Sequence, residues 1–418
     1  MRFLREWFRY VDGRGMNRRG AAASLALLAA LLPRLAAADA QDTVSVFASV
    51  DRMWDNNLFR GPAGWKDDDT VTSSRIGLRL NKAYSLQRFV LDAAVTKYNF
   101  QKNDHLNYTG MNHKAAWLWS VTPRLHGNWS LDYQRAMNNF TDYTGRQKNV
   151  RTTKNYRFDA VWEVMGGWQL QGGVSRYEQK NEEIFLQEGD YDANTAEYGV
   201  KYVFPSGSSV ALLGRSSQGK YANRTVNAIN LIDSGFDQQN TELRLTWLAS
   251  AKSRFDLNLG HLNREHDHFS VRDFSGTVGS LDYTWAATGK IRVNANVRQS
   301  LNSYQEGWSQ GWQSSYYRSR SYGISPVWQP TAKTSVRAGL RWENRDFRGA
   351  ICPAWMMGGC PSFGGREDTS RQSSLSVDWM PYSMLTLSAS VQKERRNSNR
   401  DTYDFDDRTV NFSAQLTF

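Results

Sequence analysis

Residues 409–418 read TVNFSAQLTF, and this stretch decides the fold. Val410, Phe412, Ala414, Leu416 and Phe418 share one parity, whereas Asn411, Ser413, Gln415 and Thr417 share the other. Alternation with period two makes a β-strand with one apolar and one polar face. The same alternation recurs upstream, for example in Phe158, Ala160, Trp162 and Val164, and again in Ile291, Val293, Ala295 and Val297.

Read from residue 44 onward, such segments alternate with short and long connections. Short turns fall at 81–85, 122–127, Gly166-Gly167, Pro205-Ser206-Gly207, 250–253, Ala287-Thr288-Gly289, around Pro330 and at 381–383. A long polar loop is expected over 51–70. The count is eighteen strands, eight short turns and nine longer loops. Sixteen is the alternative count, because the segments at 209–217 and 316–325 are weakly patterned. Residues 41–418 divided among eighteen strands give 21 residues per strand plus connection, which suits bilayer-spanning strands of about 9–11 residues.

Composition agrees with strands that cross a membrane. Mean hydropathy is −0.63, yet aromatics reach 13% with 16 Trp, too many for a disordered chain. No stretch after Leu32 is long enough for a transmembrane helix. Strands that are apolar on one face only keep average hydrophobicity low. Trp119, Trp162, Trp168, Trp247, Trp285, Trp328 and Trp379 all lie close to a proposed short turn, as an interfacial aromatic girdle requires. Core Trp residues of a soluble sandwich would instead be scattered along strand middles.

At the N-terminus, residues 16–41 carry Arg18 and Arg19, an apolar run at 21–32 and Ala38-Asp39-Ala40 before Gln41. That order of basic, apolar and small residues describes a cleaved export signal. Residues 1–40 are therefore expected to be an N-terminal extension and signal peptide, and 41–418 a single barrel domain. The formal charge of the whole chain is +11; residues 41–418 keep 45 basic and 38 acidic side chains, or +7. Nucleic-acid binding, the usual inference from such a balance, does not suit an exported chain.

The terminal strand ending in Phe418 resembles the closing strand of bacterial outer-membrane barrels. In that group the terminal aromatic belongs to the signal read by the assembly machinery. The expected fold is thus an all-β, transmembrane, antiparallel up-and-down barrel of the bacterial outer membrane. Lipid and lipopolysaccharide are its expected surroundings, with Arg318 and Arg320, on the outward parity, suited to headgroup phosphates.

The polar parity should face a hydrated lumen, because eighteen strands enclose a water-filled interior. It carries Arg157, Arg244, Arg292, Arg298, Arg337, Arg341 and Arg345, with Asp159, Glu163, Glu242 and Glu343 interspersed. Two readings stand side by side. The arginines attract anionic solutes, or they and the carboxylates neutralise one another. Aromatic residues on loops admit a similar choice between a glycan path and simple packing. They are Tyr304, Trp308, Trp312, Tyr316 and Tyr317, and also Trp54, Phe59 and Trp65.

Cys352 and Cys360 are the only cysteines, and in an exported chain their spacing reads as a disulfide closing a small loop. No metal or cofactor site is expected. His261, His266 and His268, the run Asp67-Asp68-Asp69, and Asp401, Asp404, Asp406 and Asp407 read as solvated loop charge. No catalytic constellation emerges, and an enzyme is not expected.

The segment Asp55-Asn56-Asn57-Leu58-Phe59-Arg60 resembles the D-x-N-L-F-R stretch near the mature N-terminus of EpsL-like proteins. These are outer-membrane barrels encoded with exopolysaccharide synthesis genes and exosortase-associated loci. The resemblance implies a channel for export of extracellular polysaccharide, with the polymer and periplasmic export proteins as partners. It assigns no individual site residue. A general or anion-preferring diffusion porin accounts equally for the lumen arginines, and an outer-membrane enzyme is the third reading.

Deleting Phe418 should leave the protein exported but poorly inserted, since an unclosed edge strand cannot be accommodated in lipid. Heat-modifiable gel mobility reports closure. Unchanged mobility and yield in the truncated chain would refute the role given to this residue.

Overall fold

The computed structural model describes residues 43–141, 145–229, 231–303, 316–349 and 365–418. Eighteen strands follow one another in chain order. The first six are β1 Val44–Asp55, β2 Asp69–Tyr84, β3 Gln87–Phe100, β4 Tyr108–Thr122, β5 Leu125–Met137 and β6 Val150–Met165. Next come β7 Trp168–Asn181, β8 Tyr191–Val203, β9 Ser209–Tyr221, β10 Gly235–Ser250, β11 Ser253–His266 and β12 Phe274–Trp285. The last six are β13 Ile291–Ser303, β14 Tyr316–Thr331, β15 Thr334–Arg348, β16 Glu367–Tyr382, β17 Leu385–Ser398 and β18 Phe405–Thr417.

Each strand pairs antiparallel with the next, and β1 pairs with β18 from Phe47↔Thr417 to Asp55↔Thr409. Phe418 extends the seam, because its N–H donates to Val46 O at 2.7 Å and its carbonyl accepts from Val46 N at 2.8 Å. The sheet therefore has no free edge, which is the condition for a sheet to exist in lipid. Eighteen strands are found, and the weakly patterned segments become β9 and β14.

Turn chemistry sets the alternating connections. Between β6 and β7 the two linking residues are Gly166 (φ 58°) and Gly167 (φ 87°). Two consecutive positive φ angles make the tight turn whose twist matches a hairpin, and glycine adopts them without strain. Short turns of this kind mark the periplasmic side and long loops the extracellular side.

The parity expected from sequence is the parity observed. Leu243, Leu340, Leu375, Phe158, Val297 and Phe412 are 41–52% exposed; they form an apolar belt on the outer wall. Trp162, Trp168, Trp247, Trp285, Trp328 and Trp379 ring the short-turn end on the same outward face. Trp119 is half-buried and stacks on Phe158 at 5.6 Å. Beyond the belt, the outward parity turns polar, as in Asn344, Asp346 and Arg348 of β15. The strands, 12–16 residues long, exceed the span of the bilayer and project on the long-loop side.

That projection corrects two expectations. The loop placed at 51–70 is shorter, because β1 continues to Asp55 and β2 begins at Asp69, with Asp55 and Asp69 in register. Trp54 is consequently a strand residue on the outer wall. Tyr316 and Tyr317 likewise belong to β14. In both places the ladder continues above the membrane, where polar residues no longer mark a strand's end. Tyr304, Trp308, Trp312, Cys352 and Cys360 lie outside the described residues, and residues 1–40 do so too.

Leu340→Arg should destabilise the folded barrel by about 2–4 kcal/mol, the cost of a lipid-facing cation near the bilayer midplane. Ser374→Arg, opposite Gly339 on the lumen face, should cost far less. Equal loss of heat-modifiable protein in the two variants would overturn the assignment of faces.

Candidate functional site: the lumen wall and its extracellular mouth

Because the register is continuous, side chains of one parity from all strands meet inside the barrel. At mid-height they form a chain of ion pairs running across β6, β8, β9 and β10. Arg157 Nη2 lies 3.0 Å from Glu197 Oε1, and Arg215 Nε lies 2.5 Å from Glu197 Oε2. Arg215 then reaches Glu242 at 3.2 Å, and Arg244 Nε reaches the same carboxylate at 2.7 Å. Asp159 closes the other end on Arg157 at 3.0 Å. The Glu197 and Glu242 side chains are only 10% and 13% exposed, against 31–37% for their arginines. Each carboxylate thus sits beneath two guanidinium groups, and the wall is close to neutral there.

The seven arginines expected to line the lumen all lie on the parity opposite the apolar belt, but in different electrostatic states. Arg157 and Arg244 belong to the chain just described. Arg341 and Arg345 flank Glu343 at 3.1 and 2.9 Å, and Ser319 Oγ donates to the same carboxylate at 2.8 Å. Arg337 stands 3.8 Å from Asp378. Arg292 and Arg298 differ from the rest. Both are exposed on β13, and neither has a carboxylate within ion-pair distance among the described residues. Next to them β14 places Ser321 opposite Arg298 and Val327 opposite Arg292, with Gly323 and Ser325 between, so that strand offers neither guanidinium group a carboxylate.

Sequence reasoning missed Glu197 and Arg215. Arg215 sits in β9, whose apolar alternation is weak, and the polar parity of that strand was the signal available.

The mouth is narrowed on the extracellular side. Leu58, Phe59, Val71, Phe100, Leu106 and Phe140 form a buried apolar cluster, with Met53, Tyr98, Tyr108 and Met137 packed on it. Val71 and Phe100 are cross-strand partners on the lumen face, so the cluster lies against the inner wall. Phe59, from the β1–β2 connection, meets Phe140, from the β5–β6 connection, edge-on at 4.7 Å. The β5–β6 connection also reaches far round the barrel, where Arg396 Nη1 of β17 donates to Thr141 O at 2.6 Å. A segment anchored at β5 that touches β17 must cross the opening.

The Asp55-Arg60 segment builds the other anchor. Asp55 accepts from Asn57 N at 2.8 Å and from Arg60 Nη1 at 2.9 Å, and Arg60 Nη2 lies 3.2 Å from Asp407 on β18. Asn57 Nδ2 donates to Asp406 O at 3.0 Å, while Asn56 Oδ1 accepts from Arg408 N at 2.7 Å. Leu58 and Phe59 supply the apolar half. The segment is a staple across the β1–β18 seam.

The remaining polar clusters are loop caps. Asp69 accepts from the backbone N–H groups of Thr70, Gln101, Lys102 and Asn103. Asp67 and Asp68 pair with Arg146 and Lys102, Asp404 accepts from Ser398 N, and Asp406 bridges to Lys66. Asp233, Asp267 and His268 come close enough together to suggest metal ligands. The Asp233 carboxylate, however, already accepts from Ser234 N, His268 N, Phe269 N and His268 Nδ1. Burial alone would raise its pKa, but these donors outweigh burial and hold it down at about 2. His266 is similarly engaged by Asp273 at 3.3 Å.

Glu197→Gln should lower stability by about 1–2 kcal/mol, a value discounted for the hydrated setting of its arginines. It should also make the pore more attractive to anions, since Arg157 and Arg215 lose their shared counter-charge. Thermal unfolding followed by gel mobility, together with single-channel selectivity, checks both. No change in either would mean that water, not Glu197, holds those guanidinium groups.

No protein-family model and no curated protein matches the sequence. Among solved structures the chain is similar to the outer-membrane protein OpdK of Pseudomonas aeruginosa, at 13% identity and a TM-score of 0.49, over 90% of this chain and 99% of that one. It is also similar to OccK2 (OpdF) of the same organism in complex with glucuronate, at 12% identity, TM-score 0.49, and 90% and 96% coverage. OccAB3 of Acinetobacter baumannii gives 11% identity, TM-score 0.49, and 90% and 99% coverage. At these identities the likeness is one of fold alone. The closed sheet, its lipid-facing belt and its charged interior stand on the chain's own geometry: this is a bacterial outer-membrane β-barrel with a polar channel.

Proposed function

We propose that the protein is a diffusion channel of the outer membrane that favours small anionic solutes. The observation that carries this reading is the pair Arg292 and Arg298, exposed to the lumen without acidic partners among the described residues. A guanidinium group presented in a low-dielectric tube concentrates carboxylates and phosphates from solution and pairs with them through two parallel hydrogen bonds. The neutralised chain from Arg157 to Arg244 contributes hydration and shape with little field. The crossing at the mouth favours small solutes over polymers.

Export of an extracellular polysaccharide is the second reading, favoured by the resemblance of Asp55-Arg60 to EpsL-like proteins. It requires the β5–β6 connection to leave the mouth while a chain passes. Deleting the gene separates the two. Loss of surface polysaccharide with unchanged uptake of small acids supports export, whereas the converse supports diffusion.

Changing both Arg292 and Arg298 to Glu should move the reversal potential in a salt gradient from anion toward cation preference. The effect should weaken as salt rises, because exposed charges are screened beyond a Debye length of about 8–10 Å. A reversal potential that does not move would refute the anion reading while leaving the barrel intact.

A further inference from the structure

The outer wall carries a second charge pattern, distinct from that of the lumen. On the lipid-facing parity of β16, β17 and β18, Arg371 stands directly opposite Arg395, and Lys393 stands directly opposite Arg408. All four side chains are exposed. Like charges in directly opposed cross-strand positions repel, with Cβ atoms about 5 Å apart. Elsewhere at this height several outward cations are balanced within the protein, whereas Lys97 and Arg320 stand opposite neutral residues only. Arg135 pairs with Glu182, Lys154 and Arg176 share Glu178, and Arg318 and Arg348 share Asp346. Among the described residues no carboxylate lies within ion-pair distance of Arg371, Lys393, Arg395 or Arg408. Asp406, opposite Arg395, is bridged to Lys66 at 2.5 Å.

The position of the cluster identifies its counter-ion. Toward the short turns, four residues from Arg371 and two from Lys393, the same outward faces carry Leu375 and Val391, which are paired and 46% and 40% exposed. The cations therefore begin where the apolar belt ends, on the long-loop side. At that height a lipid-facing side chain meets the headgroups of the outer leaflet. We propose that Arg371, Lys393, Arg395 and Arg408 form a docking site for the phosphorylated headgroup of lipopolysaccharide. Phosphate groups have the charge that two opposed cation pairs lack, and guanidinium binds them through paired N–H donors. The diglycosyl backbone lies over Ser373 and Thr369, small outward residues of β16 beside the cluster. Acyl chains continue downward along Leu375 and Val391.

The test uses the full chain in detergent micelles, with heat-modifiable mobility confirming closed barrels. Binding of lipid A, and of lipid A stripped of its phosphates, is measured by native mass spectrometry. Wild type should bind lipid A and bind the stripped form roughly a hundredfold more weakly. The variant Arg371→Gln, Lys393→Gln, Arg395→Gln, Arg408→Gln should lose affinity for lipid A to the same extent. A double variant, Arg371→Gln with Arg395→Gln, should lose roughly tenfold and serves if the quadruple variant does not close. Lys154→Gln with Arg176→Gln, in the internally balanced cluster, should bind as wild type does. Millimolar inorganic phosphate should not displace the lipid. Equal binding of the two lipids, undiminished binding by the variants, equal loss in the control or displacement by free phosphate would each overturn the proposal.

Discussion

Everything in this molecule depends on pairing every backbone donor and acceptor of a sheet placed in hydrocarbon, where an unsatisfied group costs several kcal/mol. The nine-residue register between β1 and β18, completed by the Val46 and Phe418 backbone groups, meets that condition. Once the sheet is closed, inside and outside are fixed for every residue by a single choice of parity. Apolar side chains then have only the lipid to face, and arginine and glutamate have only water. The stability of the outer belt and the polarity of the lumen are therefore one fact seen from two sides.

Within the lumen, charge is used in two ways. Where Glu197 and Glu242 underlie three arginines, the ions offset each other and hold one wall rigid. Partly hydrated pairs of this kind contribute modestly to stability, so their main effect is to fix side-chain positions. On β13 the same residue type, left without an acid, projects a field into the channel. Composition alone does not distinguish these states, because both read as arginine on the polar face of a strand.

That contrast marks how far the sequence can be read. All eighteen strands were legible, because alternation is a local property and two-residue turns such as Gly166-Gly167 carry their own signature. The placement of Arg157, Arg244, Arg292, Arg298, Arg337, Arg341 and Arg345 on the parity opposite the apolar belt was legible for the same reason. Their partners were not, since Glu197 and Arg215 meet only after β8 and β9 are registered. Nor was the narrowed mouth. Phe59 and Phe140 come from connections with no periodicity, and the Thr141–Arg396 bond joins residues 255 positions apart. Strand ends were misjudged at Asp55 and Tyr316, where pairing outlasts the apolar pattern.

The staple at Asp55-Arg60 also orders events in time. Its hydrogen bonds to Asp406 and Arg408 join residues separated by 349 and 352 positions, nearly the length of the described chain. Such contacts bear the full entropy of closing that loop unless the intervening strands are already in place. They form only after β18 has met β1. Until then Asp55 and Asn57, now almost completely buried, stand in water, and the first connection is free of the far side of the mouth. Anchoring of the first connection across the mouth is accordingly the last step of maturation, later than the closure of the sheet that it locks.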